Sequence, residues 1–293
     1  MDPWTTLAQL IVNGLAAGCV YGLVALGFAL VYKATEVVNF AQGDLLMVAA
    51  FAGWTLIEVA GLPYAVAFPV TVLLLAVLGF GLDRVVVRPI LGRPQFATIM
   101  LTIGIAFAMR GVVSMTWGPQ ARTFETPFSR KNTPFFDVVL SDVSLSIIAA
   151  TAVLSALLFA FFRWSWLGIA MQSASQNQMA AYLMGIPVKA VTSLTWALSA
   201  SVAACAGLLL APIALVDIAL WLVILKAFAA AVLGGFGSIP GAIVGGLLIG
   251  LVEQFVGVYL LQEAKGIAGY VVLLAVLLVW PRGLFGGGER KRV

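Results

Sequence analysis

Nine stretches of this 293-residue chain are apolar for most of the length of a bilayer-crossing helix, and polar punctuation separates them. A helical crossing takes about 20 predominantly apolar residues. The stretches run over 7–32, 44–60, 64–82, 96–117, 144–162, 191–215, 219–234, 241–262 and 266–281. Several are short, which admits half-spans or tilted helices. The chain is 62 % hydrophobic and 10 % charged, against about 45–50 % and about 25 % in soluble domains. A water-soluble fold would lack the polar groups to cover its surface, whereas a lipid-facing surface needs none. The expected fold is all-α, a polytopic transmembrane helical bundle of about nine spans (roughly eight to ten). It occupies 1–293 as one domain. The run Leu10–Tyr32 has no basic segment before it, so it reads as an uncleaved first helix.

Basic residues orient the bundle. With the C-terminus in the cytoplasm, nine spans put Met1 outside. Lys33, Arg84, Arg88, Arg93, Arg163, Lys189, Arg282, Arg290, Lys291 and Arg292 then face the cytoplasm, against Arg122, Arg130, Lys131 and Lys265 outside. This bias is the one membrane insertion produces. It accounts for the net charge of +4 without nucleic acid binding. Trp4, Trp54, Trp117, Trp164, Trp166, Trp221 and Trp280 fall near span ends, as interfacial anchors do.

Irregular backbone is tolerated at membrane depth only where protein or water satisfies it, so interruptions inside apolar sequence are informative. Two are expected to be broken or re-entrant. In the first, near 33–44, Asn39, Gln42 and Asp44 could present amide and carboxylate groups to a cavity. It could equally be a polar loop with Asp44 capping the next helix. The second, near 234–241, holds Gly234, Gly235, Gly237, Ser238, Pro240 and Gly241. Pro240 cannot continue a helix hydrogen-bond ladder. These glycines suit either a broken helix beside a translocation path or close helix packing. A third segment, 163–190, is too polar to span. Met171, Ala174, Gln178, Ala181 and Met184 recur at helical steps within Gly168–Gly185. A cytoplasmic helix follows, and its small residues Ala180, Ala181 and Gly185 suit docking against another protein or simply lying on the membrane.

Glu58, Arg110, Asp217, Lys226 and Glu253 are charges within or beside spans, and Lys226 and Glu253 could pair across adjacent helices. The chain has no histidine, which removes His-based metal sites and general bases. Cys19 and Cys205 lie in apolar sequence without metal-type spacing and read as packing residues. No nucleophile motif and no paired carboxylates at helical spacing occur, so an enzyme is not expected. A G-x-x-x-x-G-K-[ST] phosphate loop is also missing, so ATP hydrolysis would need a partner.

The runs Tyr32–Asp44, Met171–Val188, Ala231–Ala242 and Trp280–Gly286 together resemble the branched-chain amino acid ABC transporter permeases, specifically the shorter, H-type subunit. The resemblance spans nearly the whole chain. It implies a multi-pass bacterial inner-membrane importer subunit with its N-terminus periplasmic and its C-terminus cytoplasmic. It implies a second permease subunit, two cytoplasmic ATPase subunits that bind ATP and Mg, and a periplasmic substrate-binding protein. Gln178, Met179, Ala180, Ala181 and Gly185 would form the ATPase-docking element, and the two interruptions would border the path. Met179 and Gln172 depart from the family, which tends to place an acidic residue and an arginine there. Family substrates extend from branched-chain amino acids to urea, short amides and aromatic acids. An ion- or proton-coupled secondary transporter is the alternative that broken helices also fit.

Overall fold

The computed structural model describes residues 3–90, 94–129, 132–135, 138–280 and 283–285. Its elements are α1 (Pro3–Thr35), α2 (Gln42–Trp54), α3 (Tyr64–Leu82), α4 (Gln95–Trp117), α5 (Asp142–Trp164), α6 (Trp166–Gln176), α7 (Gln178–Leu183), α8 (Val188–Leu210), α9 (Val223–Gly234), α10 (Ile239–Tyr259) and α11 (Lys265–Val279). Wider π-type turns extend α2 over Thr55–Val59 and α3 over Asp83–Val87. A tight 3-10 turn, Ile218–Leu222, leads into α9. Between α4 and α5 a small antiparallel ribbon pairs β1 (Asn132–Phe135) with β2 (Val138–Ser141).

All nine apolar segments form helix, but they are not nine equal spans. Six helices among the described residues are long and apolar enough to cross a membrane: Trp4–Thr35, Tyr64–Ile90, Gln95–Trp117, Asp142–Trp164, Val188–Leu210 and Ile239–Tyr259. Ile218–Gly234 and Lys265–Val279 are shorter, and α2 has 13 residues before its π turn.

Helix α1 is apolar all round, the pattern of a buried helix. Val20, Leu23, Val24, Ala25, Leu26, Phe28 and Ala29 are wholly buried along it. Helix α10 crosses α1 closely because both present glycine. A Cβ on Gly18 would stand 2.7 Å from Leu247 Cα and 2.8 Å from the Gly246 carbonyl, and Gly246 and Gly250 have equally little room against Gly22 and Gly18. Small residues are what allow two helix backbones to approach this far in lipid. The outer helices α3, α4 and α5 differ: Leu73, Val77, Phe107, Val112, Val153 and Phe159 lie exposed on them, as on surfaces that meet lipid.

The helix ends gather at two faces. At one face the end of α1 receives Gln178 from α7 (Nε2 to the Ala34 carbonyl, 2.9 Å), and Arg88 after α3 reaches the start of α8 (Lys189 carbonyl, 2.9 Å). The α9–α10 turn joins this face through Phe236 on Tyr32, ring centroids 4.9 Å apart. Leu284 and Phe285 close it by donating backbone N–H groups to Leu233 and Gly234. At the other face Trp117, ending α4, donates to Thr55 after α2 at 2.7 Å. Arg122 exchanges two backbone hydrogen bonds there with Val216 beyond α8.

Candidate functional site

The polar run after α1 is buried rather than looped into solvent. Helix α1 stops at Thr35, and Glu36 takes a left-handed backbone, φ 56°. The chain then turns back along α1. Gln42 lies so close to Gly27 that a side chain at 27 would collide with it. Gly27 is eight residues before the end of α1, about 12 Å along the axis at 1.5 Å per residue. Helix α2 therefore begins well inside the bundle, and residues 36–41 fold back beside α1.

Buried irregular backbone must find internal partners, and here side chains supply them. Asn39 Oδ1 accepts the Ala41 N–H at 3.0 Å, and Asn39 Nδ2 donates to Gln42 Oε1 at 3.3 Å. Gln42 Nε2 donates to the Ser199 carbonyl on α8 at 3.2 Å. The Ser199 hydroxyl lies 2.9 Å from both Gln42 Oε1 and the Gly27 carbonyl. Thr102 on α4 accepts the Phe40 N–H at 3.3 Å. Asp44, wholly buried, is gripped at two points by Arg110 of α4: Nε to Oδ1 at 2.6 Å and Nη2 to Oδ2 at 3.1 Å. The guanidinium lies 3.6 Å over the Trp221 ring. Asp44 thus sits in the first turn of α2 but pairs across the bundle, and Ala41, at the N-cap, makes no side-chain cap.

A second irregular stretch meets the first. Beyond α8 the chain turns, and Asp217 caps the 3-10 turn by accepting the Leu220 N–H at 3.1 Å. Gly43 packs directly on this turn: a Cβ there would stand 2.5 Å from the Trp221 carbonyl and 2.7 Å from Ile224 Cβ. Two short helices, α2 and α9, thus start side by side inside the molecule.

The glycine-rich stretch behaves differently. It is the turn of an antiparallel helix pair, α9 and α10, and lies at the face that carries α7. Gly234 and Gly241 oppose each other with no room for a Cβ on either, and Gly245 is equally crowded by the Ala230 carbonyl. Gly235 turns the chain at φ 95°, Ser238 caps α10 through the Gly241 N–H at 3.1 Å, and Pro240 occupies its first turn. Gly237 has open space around it. Phe228 and Phe236 (5.4 Å), Phe40 and Phe228 (6.2 Å), and Tyr32 and Phe236 (4.9 Å) link this turn to the 36–41 segment through one aromatic chain.

Lys226 and Glu253 form a direct ion pair between α9 and α10. Tyr21 of α1 joins it, donating to Glu253 at 2.8 Å and lying 3.3 Å from Lys226 Nζ. The pair had a sequence signal, two opposite charges in adjacent spans; Tyr21 and Ser199 had none.

The polar segment after α5 is two helices, not one over 168–185. Asn177 breaks it with an extended backbone and starts α7 by accepting the Ala180 N–H at 2.9 Å. Asparagine is a favoured N-cap, and that was the legible signal. Gly185, at φ 82°, ends α7. Ala181 is buried against the bundle, while Met179, Tyr182, Leu183 and Met184 are exposed. Gln172 holds α6 to α5 by donating to the Phe162 carbonyl at 2.7 Å.

Membrane-length helices and buried irregular backbone satisfied by side chains are features that polytopic membrane proteins, transporters among them, share. The family described as "Branched-chain amino acid transport system / permease component" matches residues 10–280, and this chain belongs to it. LivH of Escherichia coli K12, a high-affinity branched-chain amino acid transport system permease protein, is 29 % identical over 97 % of both chains. BraD of Pseudomonas aeruginosa, described in the same words, is 30 % identical over 97 % of both. A probable LivH of Methanocaldococcus jannaschii is 28 % identical, over 92 % of this chain and 89 % of that one. A chain of the PsaBC–Fab complex from Streptococcus pneumoniae aligns over 94 % of this chain and 92 % of its own, with 17 % identity and a TM-score of 0.47.

Proposed function

We propose that this chain is the H-type permease subunit of an ATP-driven importer for branched-chain amino acids in a bacterial inner membrane. Related small polar solutes such as urea, short amides and aromatic acids fall within the same reading. The observation that carries it is the α6–α7 pair. Its exposed end, Met179 to Met184, offers apolar side chains to a protein partner. Its base is tied to α5 through Gln172 and to α1 through Gln178. A partner ATPase that binds ATP and Mg would press on α7, and the end of α1 would move with it. The re-entrant 36–41 segment follows directly from that end, so the motion would reach Asn39, Gln42 and Asp44. A second permease would complete the path, and a periplasmic binding protein would deliver the solute.

The topology we propose has nine passes, two of them discontinuous: residues 36–59 and 211–234 each complete a crossing with a short helix. The docking face is cytoplasmic and Met1 periplasmic. The basic-residue bias supports this orientation, and the gathering of α1, α5, α7 and α8 ends at one face supports the pass number.

Replacing Leu183 and Met184 by aspartate tests the docking element. The expected result is loss of ATPase co-purification with the chain still inserted in membranes; unchanged co-purification refutes the role. Leucine uptake into vesicles of the assembled system should stop without ATP. Uptake driven by an ion gradient alone would favour a secondary transporter, for which the Lys226–Glu253 pair would be the candidate coupling site.

A further inference from the structure

A cleft of about 1120 Å³ opens where α1 and α5 end. Lys33, in the last turn of α1, and Arg163, in the last turn of α5, both line it. Gln172 and Gln176 of α6 and Ser238 of the α9–α10 turn add polar groups. Among the described residues neither Lys33 nor Arg163 has an ion pair or a hydrogen-bonded side-chain partner. Among the described residues Glu36 is the one carboxylate on the rim, so they set two cations against one anion. Phe159, Ile169 and Ile239 give it an apolar side as well. Phe159 and Ile169 are exposed on the outer side of α5 and α6, and Trp164 and Trp166 stand exposed beside them.

We propose that this cleft binds the headgroup of an anionic phospholipid. A phosphodiester supplies what the two cations lack, and arginine takes phosphate oxygens in a two-point fork. The glutamine and serine groups can donate to the remaining oxygens and to a glycerol headgroup. The acyl chains leave across Phe159 and Ile169 into the bilayer, and the tryptophans mark headgroup depth. Basic pockets between helix ends are sites of this kind. A free phosphate satisfies the cations equally but makes no use of the apolar wall, which is why lipid is the occupant we assign. The assignment needs only that the chain crosses the membrane, and it stands whether or not α7 docks an ATPase. A lipid here would brace α6 against α1 and α5.

Native mass spectrometry of the full chain in detergent, with phosphatidylglycerol or phosphatidylcholine added at equal concentration, tests this. Two cations against the single Glu36 carboxylate leave one net charge near the headgroup, which corresponds to about a 5-fold preference for the anionic lipid. The double variant Lys33→Gln/Arg163→Gln should bring retention of the two lipids to parity. Lys33→Arg should keep the preference, and so should Lys265→Gln at the opposite face. No preference in the native chain, or a preference that survives the double variant, overturns the site. Displacement of the lipid by an equal concentration of glycerol 3-phosphate would show a free-phosphate site and overturn the lipid assignment.

Discussion

Arg110 and Asp44, 66 positions apart in the chain, meet in a two-point ion pair that joins α4 to the first turn of α2. The carboxylate is wholly buried, so the pair holds the start of α2 inside the bundle. Removing one partner of a buried pair costs about 3–5 kcal/mol, because the other charge is left uncompensated. Arg110→Gln should lower the melting temperature in detergent markedly. Arg110→Gln/Asp44→Asn should recover part of the loss, and a double-mutant cycle measures the coupling.

A similar pair, Lys226 and Glu253, should behave alike with one addition. Glu253 also accepts the Tyr21 hydroxyl, so Glu253→Gln removes the charge but keeps an acceptor. Glu253→Gln should therefore cost less than Glu253→Leu, as read by thermal unfolding of the two purified variants.

Glycine substitutions should divide sharply by position. Gly18→Ala places a methyl against α10 backbone, where overpacking costs about 1–3 kcal/mol. Gly104→Ala and Gly111→Ala on α4 meet open space and should be neutral or stabilising by about 0.4–1 kcal/mol. Comparing melting temperatures of the three variants checks both directions. A destabilised Gly104→Ala would place another surface against α4.

The N-cap of α7 offers a local probe. Asn177→Ala removes the acceptor for the Ala180 N–H and should cost about 1 kcal/mol, confined to the α6–α7 pair. Hydrogen exchange should quicken over 178–183 while α8 stays protected.

Much of the helical architecture was legible because apolar runs and polar punctuation are local. Each of the nine runs contains a helix, and the opposite charges of Lys226 and Glu253 suggested the pairing that the structure places between α9 and α10. Depth was not legible. The two interruptions read as equivalent, yet 36–41 folds back beside Gly27, whereas 235–238 turns at a face. What separates them is whether Gln42 finds Ser199 on α8, a contact that no local pattern encodes. The start of α9 inside the bundle was half legible: 219–234 is short enough to admit a half-span, but it is Gly43 against Trp221 that places its start beside α2. Arg110 and Asp44 were both conspicuous, but a partner 66 residues away is set by helix packing. The ribbon at 132–141 lay in a stretch too mixed in polarity to announce a strand pair.

The crossing of α1 with α10 has a consequence for biogenesis. Gly246 is translated 228 residues after Gly18, so α1 enters the lipid long before the helix it packs against exists. Until then its glycine ridge lacks the helix that fits it. Assembly of the permease must therefore remain open while the intervening helices are made, and it can close only once α10 leaves the insertion machinery.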